Sequence, residues 1–263
     1  SEDAKKVVRD MVSGVRNGLD YTWMPIEQQR EVMDMGEFRD VGVSYDADDV
    51  FSEDYIDERL DFGDLSVRSS GRGTGTLFDI LDSHDELSSF LSLSSVGIKR
   101  NVNGSFILER VTHNGRFTTS GGDSIQLHLD TVAEIKERYA TLLRKIEENH
   151  RLSYESQEHG TGMDGTPLVI ELDNEIEDVR QFIENIITAK NPLRLWGAKT
   201  KLDDQYWKIK GVDLHNNDKY TIEICPKWLR LYLGDEACGN TALRIYSNLQ
   251  RHYDSNATME VEE

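Results

Sequence analysis

The last third of the chain has the most regular pattern of apolar and polar positions. Residues 168–172 form a short apolar run typical of a strand. Residues 176–187 carry apolar side chains at three- and four-residue spacing, which predicts a helix capped by Asn174 and Glu177. Further strands are predicted at residues 194–196, 205–212, 220–225 and 227–233, before a closing helix that begins at Gly239. Because no long crossover helix separates the later strands, we expect a mostly antiparallel sheet.

The middle of the chain combines turn signals with a long helical pattern. Asn103-Gly104 and Asn114-Gly115 separate short strand-like runs, which predicts a hairpin or meander. Residues 124–129 alternate apolar and polar side chains, so we expect one more strand there. Thr131 and Glu134 have the spacing of a capping box, which predicts that a helix begins there and continues over residues 132–150.

The first part of the chain begins with an amphipathic pattern. Five apolar residues recur at three- and four-residue spacing and predict a helix; we call them the N-terminal stripe: Val7, Val8, Met11, Val12 and Val15. A second short helix is predicted at residues 26–35, after Pro25. Two more short helices, broken near residues 83–85, are predicted within residues 76–93.

Residues 37–75 are acidic and lack clear periodicity. We predict an acidic arm with at most one short helix, ending in a flexible, glycine-rich loop at residues 69–75. Such an arm is expected to become ordered on a partner.

These elements predict an α+β protein in two parts, separated by a linker at residues 159–165. We expect an N-terminal helical and hairpin region and a C-terminal, mostly antiparallel sheet with two helices. The predicted segments are N-terminal helices at 1–36, the acidic arm at 37–75, a helix, hairpin and long-helix region at 76–158, a β-α-β-β-β-α domain at 166–254 and an acidic tail at 255–263.

The charge balance narrows the class of protein. The chain carries 49 Asp and Glu against 30 Lys and Arg, for a net charge of −19. The acids are spread along most of the chain and Arg outnumbers Lys, a composition similar to that of proteins adapted to molar salt, where repulsion between carboxylates is strongly screened. An ordinary acidic protein, such as a nucleic-acid mimic, is the alternative.

The sequence shows neither the pattern of a targeting signal nor a cysteine motif. No run approaches the roughly 18 apolar residues of a membrane span, and residues 1–5 lack the pattern of a signal peptide. We therefore expect a cytoplasmic protein without a membrane partner. Cys225 and Cys238 form no CxxC pair, so neither a disulfide framework nor a zinc site is predicted.

Common catalytic motifs are also lacking. The sequence contains no phosphate-binding loop, no Gly-x-Ser-x-Gly elbow and no His-Glu-x-x-His. None of the seven histidines has a partner three or four residues away, so we predict surface or capping roles for them. We therefore predict no catalytic residue, metal site or cofactor, although folding could still assemble distant carboxylates around a metal, as in a hydrolase.

The candidate binding residues lie in the last third, where the net charge over residues 181–254 is +2. Basic side chains alternate there with Trp196, Trp207, Trp228, Tyr232 and Tyr246, a pattern that can hold phosphates and stack bases. The basic candidates are Lys199, Lys201, Lys208, Lys210, Lys227, Arg230, Arg244 and Arg251. Alternatively, the tryptophans fill the core, or the surface binds another protein, such as the acidic arm of a neighbouring copy.

The sequence therefore favours a non-enzymatic interaction protein, a component or regulator of a larger assembly, with a protein partner or self-association. Nucleic-acid binding through the last third is the second hypothesis, and a carboxylate-metal hydrolase is the third.

Overall fold

A computed structural model of the protein describes residues 6–7, 20–45, 65–84, 92–157, 160–190 and 193–261. Within these ranges the chain combines helices with two largely antiparallel sheets, which confirms the α+β class. In the described ranges, the helices of eight or more residues are α1 (Ile26–Met33), α2 (Thr74–Asp82), α3 (Ile125–Asn149), α4 (Val179–Ile186) and α5 (Gly239–His252). The N-terminal stripe beyond Val7 and the helix predicted near residue 87 lie outside the described residues.

The first sheet has five strands in the order β2-β1-β3-β4-β5, all antiparallel. They are β1 (Glu37–Tyr45), β2 (Leu65–Ser70), β3 (Ser92–Val102), β4 (Ser105–Thr112) and β5 (Phe117–Gly122). The hairpin predicted at Asn103-Gly104 is confirmed, since both residues have positive φ (52° and 87°) and Val102 pairs with Ser105. Positive φ at both central residues is what a type I′ turn requires.

The prediction of an acidic arm is wrong for residues 37–45 and 65–70. Strand β1 lies inside the sheet, between β2 and β3. Val41 and Val43 are buried, and the preceding acid, Asp40, is also buried and is neutralised by Arg68 and Arg110 at 3.0 and 2.8 Å. The acids of the surrounding segment hid this strand in the sequence. The most acidic run, residues 46–58, lies outside the described residues.

The strand predicted at residues 124–129 is instead the first part of α3. Ser124 caps the helix, because its Oγ accepts a hydrogen bond from the amide of Leu127 at 3.1 Å. Leu127 and Thr131, four residues apart, are buried, whereas Ile125 and Leu129 on another face are exposed. The apolar alternation over these six residues indicates a strand, but the four-residue spacing of Leu127, Thr131 and Ile135 fits the helix that forms. Thr131 therefore lies inside the helix, where its hydroxyl donates to the Leu127 carbonyl at 2.7 Å.

The second sheet has the strand order β13-β8-β12-β11-β10-β9, all antiparallel, and β6 joins β12 by a short parallel pairing. Its strands are β6 (Arg151–Gln157), β7 (Gly160–Asp164), β8 (Leu168–Glu171), β9 (Leu195–Asp203), β10 (Tyr206–Asp213), β11 (Lys219–Cys225), β12 (Trp228–Gly234) and β13 (Thr258–Glu260). Two predictions are wrong here. The predicted linker contains β7, which pairs with β6, and the predicted tail contains β13, which pairs with β8.

Helices α4 and α5 contribute to the core of the second sheet. Ile183 and Leu243 are fully buried in one cluster with Ile209, Ile222 and Leu231. The helix α4 begins at Val179 and is capped by Asp178, whose Oδ1 accepts from the amides of Arg180 and Gln181, so the predicted cap at Asn174 is wrong. The strand-to-helix order from β8 to α5 is otherwise the predicted one.

The N-terminal segment contacts the C-terminal helix. The amide of Ile26 donates to Gln250 Oε1 at 2.9 Å, and the Tyr246 hydroxyl donates to Glu27 Oε1 at 2.6 Å. The division into two domains stays a prediction. Among the described residues, no helix is both long enough and apolar enough to span a membrane.

Candidate interaction surfaces

The second sheet presents to solvent a face rich in aromatic and basic side chains, which we call the open face. Side chains alternate along each strand, and the buried members of the alternation, such as Ile209, Ile222 and Leu231, contact the core. We define the open face by opposite members of β9 to β12, which are Trp196, Ala198 and Thr200 of β9, Tyr206, Lys208 and Lys210 of β10, Thr221 and Glu223 of β11, and Trp228, Arg230 and Tyr232 of β12. The three β9 residues and Lys210 are exposed, so this end is open to solvent.

A single carboxylate organises the centre of the open face. Glu223 accepts hydrogen bonds from the hydroxyls of Tyr206 and Tyr232, both at 2.9 Å, and from Lys208 Nζ at 3.0 Å. Burial raises the pKa of Glu223, but these hydrogen bonds outweigh burial, so its pKa lies below the ordinary value. Burial and the neighbouring carboxylate raise the pKa of both tyrosines, which therefore remain protonated donors at neutral pH.

Ring contacts further fix these side chains. Tyr206 and Trp228 meet edge to face with centroids 5.8 Å apart. The Arg230 guanidinium lies 4.3 Å from the Trp228 ring centroid, and Lys208 Nζ lies 5.7 Å from that of Tyr232. Such contacts restrict side-chain rotation, so the aromatic surface is preorganised before any partner arrives.

Three of the eight basic candidates lie on the open face: Lys208, Lys210 and Arg230. Three others pair with nearby acids, namely Lys199 with Glu184 of α4, Lys201 with Asp204 and Lys227 with Glu175. The Lys199 pair lies on the helix side of the sheet, since its partner belongs to α4.

The remaining two candidates point away from the open face. Arg244 is 1% exposed, forms an ion pair with Asp213 and donates to the Leu193 carbonyl at 2.6 Å, so its assignment to a binding surface is wrong. A sequence pattern of basic residues does not distinguish a solvent-exposed arginine from a buried one. Arg251 contacts β1 of the first sheet, where its guanidinium lies 3.2 Å from Ser44 Oγ.

The tryptophans divide between core and surface. Trp207 packs against the core, as the core-filling alternative predicts, whereas Trp196 is 59% exposed and Trp228 lies on the open face. Sequence reasoning missed Tyr206 and Glu223. Tyr206 could have been placed on the same face as Lys208, because the two residues are two positions apart on one strand. The role of Glu223 depends on pairing between strands.

A groove is the second candidate surface. It encloses about 880 Å³ and is lined by residues of α1, α3, α5 and β13, together with Pro25 and Val261. The apolar part of its lining includes Pro25, Leu142, Met259 and Val261, and its acids are Glu27, Glu31, Glu134 and Glu137. Arg138 and Lys145 are its two basic residues, and Arg138 is bound to Glu134 at 3.0 Å.

One buried polar group lines the groove without a hydrogen bond. Gln28 is 7% exposed, and its Oε1 has no partner among the described residues. A buried amide oxygen without a partner costs about 1–3 kcal/mol of stability.

Other polar clusters hold elements of the fold together. Asp20 accepts hydrogen bonds from Asn240 Nδ2 at 2.7 Å and Trp23 Nε1 at 3.0 Å, and it lies 2.7 Å from His215 Nε2. Burial raises the pKa of Asp20, but the contact with His215 and the other hydrogen bonds lower it below the ordinary value. In the part of the chain that the structure describes, no group of three or more His, Cys, Asp and Glu side chains is placed to hold a metal ion.

Comparisons with known proteins identify relatives but no activity. The whole chain, residues 1–263, matches the family described as MJECL33-like protein. The uncharacterized protein MJECL33 of Methanocaldococcus jannaschii is 30% identical over 299 residues, an alignment that covers 100% of this chain and 72% of the relative. No solved structure matches the chain.

Proposed function

The chain belongs to the MJECL33-like family, and we propose that it is a non-enzymatic interaction protein, a component or regulator of a larger assembly, that binds its partner through the open face. The observation that carries this proposal is that Trp196, Trp228, Arg230 and Tyr232 lie on the same face of one sheet. Tryptophan, tyrosine and arginine are the residues that most often dominate the binding energy of protein interfaces.

The rigidity of the open face supports this function. Because Glu223 holds Tyr206 and Tyr232 by hydrogen bonds, little side-chain freedom remains to be lost on binding. Preorganised groups bind more tightly for this reason. Aromatic contacts also persist in molar salt, the condition that the acid-rich composition predicts, whereas charge attraction is screened there.

A protein partner is favoured over nucleic acid by the overall charge of −19. Nucleic acid is the second candidate, because Lys210 is exposed near Trp196 and can contact a phosphate while the indole stacks on a base. Affinity from phosphate contacts falls with salt, so the two candidates differ in their salt dependence.

A pull-down of the tagged full-length protein from its native lysate at high KCl tests both candidates. A stoichiometric protein that stays bound after nuclease treatment supports the proposal. Nucleic acid that is released by salt, and lost when Lys210→Glu is introduced, supports the second candidate instead. Lys210 suits this test better than Lys208, because Lys208 also holds Glu223 in place.

A further inference from the structure

The strand β9 forms one edge of the second sheet, and its outer side is open to solvent. Among the described strands only β10 pairs with it, which leaves a row of backbone N–H and C=O groups for another strand. Trp196 is 59% exposed and Leu202 is 46% exposed, and Ala198 and Thr200 between them are also exposed. The edge is therefore accessible along most of its length.

The length of β9 distinguishes it from the other described edges. It has nine residues, whereas β13 at the opposite end of the same sheet has three, and β2 and β5 of the first sheet have six each. Natural proteins protect long edges with proline or with charged side chains. β9 contains no proline, and its lysines, Lys199 and Lys201, are already paired with Glu184 and Asp204 of the same copy. Little therefore prevents another strand from pairing with this edge.

We propose that β9 pairs antiparallel with β9 of a second copy, about a two-fold axis that passes through Ala198. In this register Ala198 lies opposite its own counterpart, and Trp196 lies opposite Thr200 of the other copy. Main-chain hydrogen bonds hold the two strands together, as in other cases of strand addition to a sheet edge. The contact is isologous and closed, because both copies use the same patch.

The side chains of β9 are self-complementary in this register. A tryptophan opposite a threonine is an aromatic and β-branched cross-strand pair, which stabilises antiparallel sheets, and the two-fold axis forms this pair twice. Lys199 and Lys201 each lie opposite an uncharged residue, so that no two like charges face each other directly. A second copy of the strand therefore fits this edge at each paired position.

Charge also favours contact between copies at this strand. The whole chain has a net charge of −19, whereas residues 195–202 contain two lysines and no acid. The negative potential of one copy attracts a basic strand of another, which promotes their encounter. Two acidic copies thus meet through basic strands rather than through two acidic surfaces.

This pairing leaves the open face uncovered, because an added strand lies beside the sheet and not on it. Opposed residues of an antiparallel pair point to the same side, so the open faces of the two copies form one continuous surface. The inference goes beyond the proposed function, and the pairing does not depend on it.

Sedimentation velocity of the full-length protein from about 1 μM to about 500 μM tests the contact, since transient assemblies have dissociation constants in this range. We expect the wild type to pass from monomer to dimer as the concentration rises and to form nothing larger, because a two-fold contact is closed. A wild type that stays monomeric throughout contradicts the proposal.

A charge exchange at the axis tests the register. Ala198→Lys and Ala198→Glu each place two like charges about 5 Å apart in the dimer, and Ala198 is exposed, so the core is left intact. We expect each variant alone to raise the dissociation constant of the dimer at least about fivefold. An equimolar mixture of the two recovers dimerisation, because opposite charges then face each other. The runs use the lowest KCl concentration at which circular dichroism shows folded protein, since salt screens this contrast.

The matched controls are Ser120→Lys and Ser120→Glu, at an exposed position on the edge strand β5. We expect both to dimerise as the wild type does. A mixture of the Ala198 variants that associates no better than either alone contradicts the register.

Crosslinking supplies a readout that does not depend on salt. In a Cys238→Ser background, which removes the exposed native thiol, a short bis-maleimide should join two Ala198→Cys chains and leave Ser120→Cys chains as monomers. Equal crosslinking of both contradicts the pairing. Arg230→Ala, on β12 and away from β9, should lower capture of a partner by the open face without changing the dimer, so failure of the proposed function and failure of the pairing are distinguishable.

Discussion

Arg244 of α5 and Asp213 at the end of β10 form an ion pair in the protein interior, with side-chain exposures of 1% and 0%. Removing one partner of such a pair leaves a charge that is buried and uncompensated. We expect Arg244→Leu to lower the free energy of unfolding by about 3–5 kcal/mol, measured by urea denaturation. Arg180→Ala removes an exposed pairing with Glu184 and should leave stability almost unchanged.

Gly211 allows β9 to approach β10 closely, and this approach positions Trp196. A Cβ added at Gly211 would lie 2.1 Å from the Trp196 carbonyl oxygen. We expect Gly211→Ala to destabilise the protein by about 1–3 kcal/mol, because the strands must move apart. Thermal denaturation measures this effect. The matched control is Gly234→Ala, where a Cβ meets nothing within 4 Å and stability should change by less than about 0.5 kcal/mol.

Glu223 makes the stability of the open face depend on pH. Since its pKa is below the ordinary value of 4.5, ionised Glu223 stabilises the fold above that pH, and this stabilisation disappears as the pH falls through the lowered pKa. We expect Glu223→Gln to be less stable than the wild type by about 1 kcal/mol at neutral pH. Urea denaturation across this range should show the difference shrinking below pH 4.5. A difference that does not vary with pH contradicts the assignment.

His113 should cause a loss of stability at mildly acidic pH. Burial, together with the charge of Arg251, lowers its pKa from 6.5 to about 4. The folded protein therefore prefers neutral His113, and this contribution to stability is complete above pH 6.5 and lost as the pH falls towards 4. We expect His113→Asn to reduce the slope of unfolding free energy against pH in this window. An unchanged slope would show that other groups cause the acid sensitivity.

The second sheet was largely predictable, because its strands alternate apolar and polar residues. Ile209, Ile222 and Leu231 are buried as the pattern requires, and Lys208 and Lys210 share one face. The first sheet was harder to predict from the sequence. The pattern of β1 includes Asp40, which is buried only because Arg68 and Arg110 come from other strands to neutralise it. A partner distant in sequence cannot be inferred from the local pattern.

The candidate surfaces also depend on contacts between residues that are distant in sequence, which the local pattern cannot reveal. The sequence indicated a basic, aromatic last third, but it could not separate Arg244, which is buried, from Arg230, which lies over Trp228. The groove was not predicted at all, since α1, α3, α5 and β13 come from distant parts of the chain. The long helix that became α3 was predicted from its periodicity, but the elements that lie beside it in the groove were not.

Capture of the partner by open-face variants tests the central claim most directly. Tagged wild type, Trp196→Ala and Tyr154→Ala are compared at equal concentration in native lysate at high KCl. Tyr154 is 74% exposed on β6 and serves as the matched aromatic control. We predict that Trp196→Ala lowers the captured partner at least about tenfold, as loss of a hot-spot residue does, while Tyr154→Ala captures as much as the wild type. Equal capture by all three proteins would contradict the assignment of the open face as the binding surface.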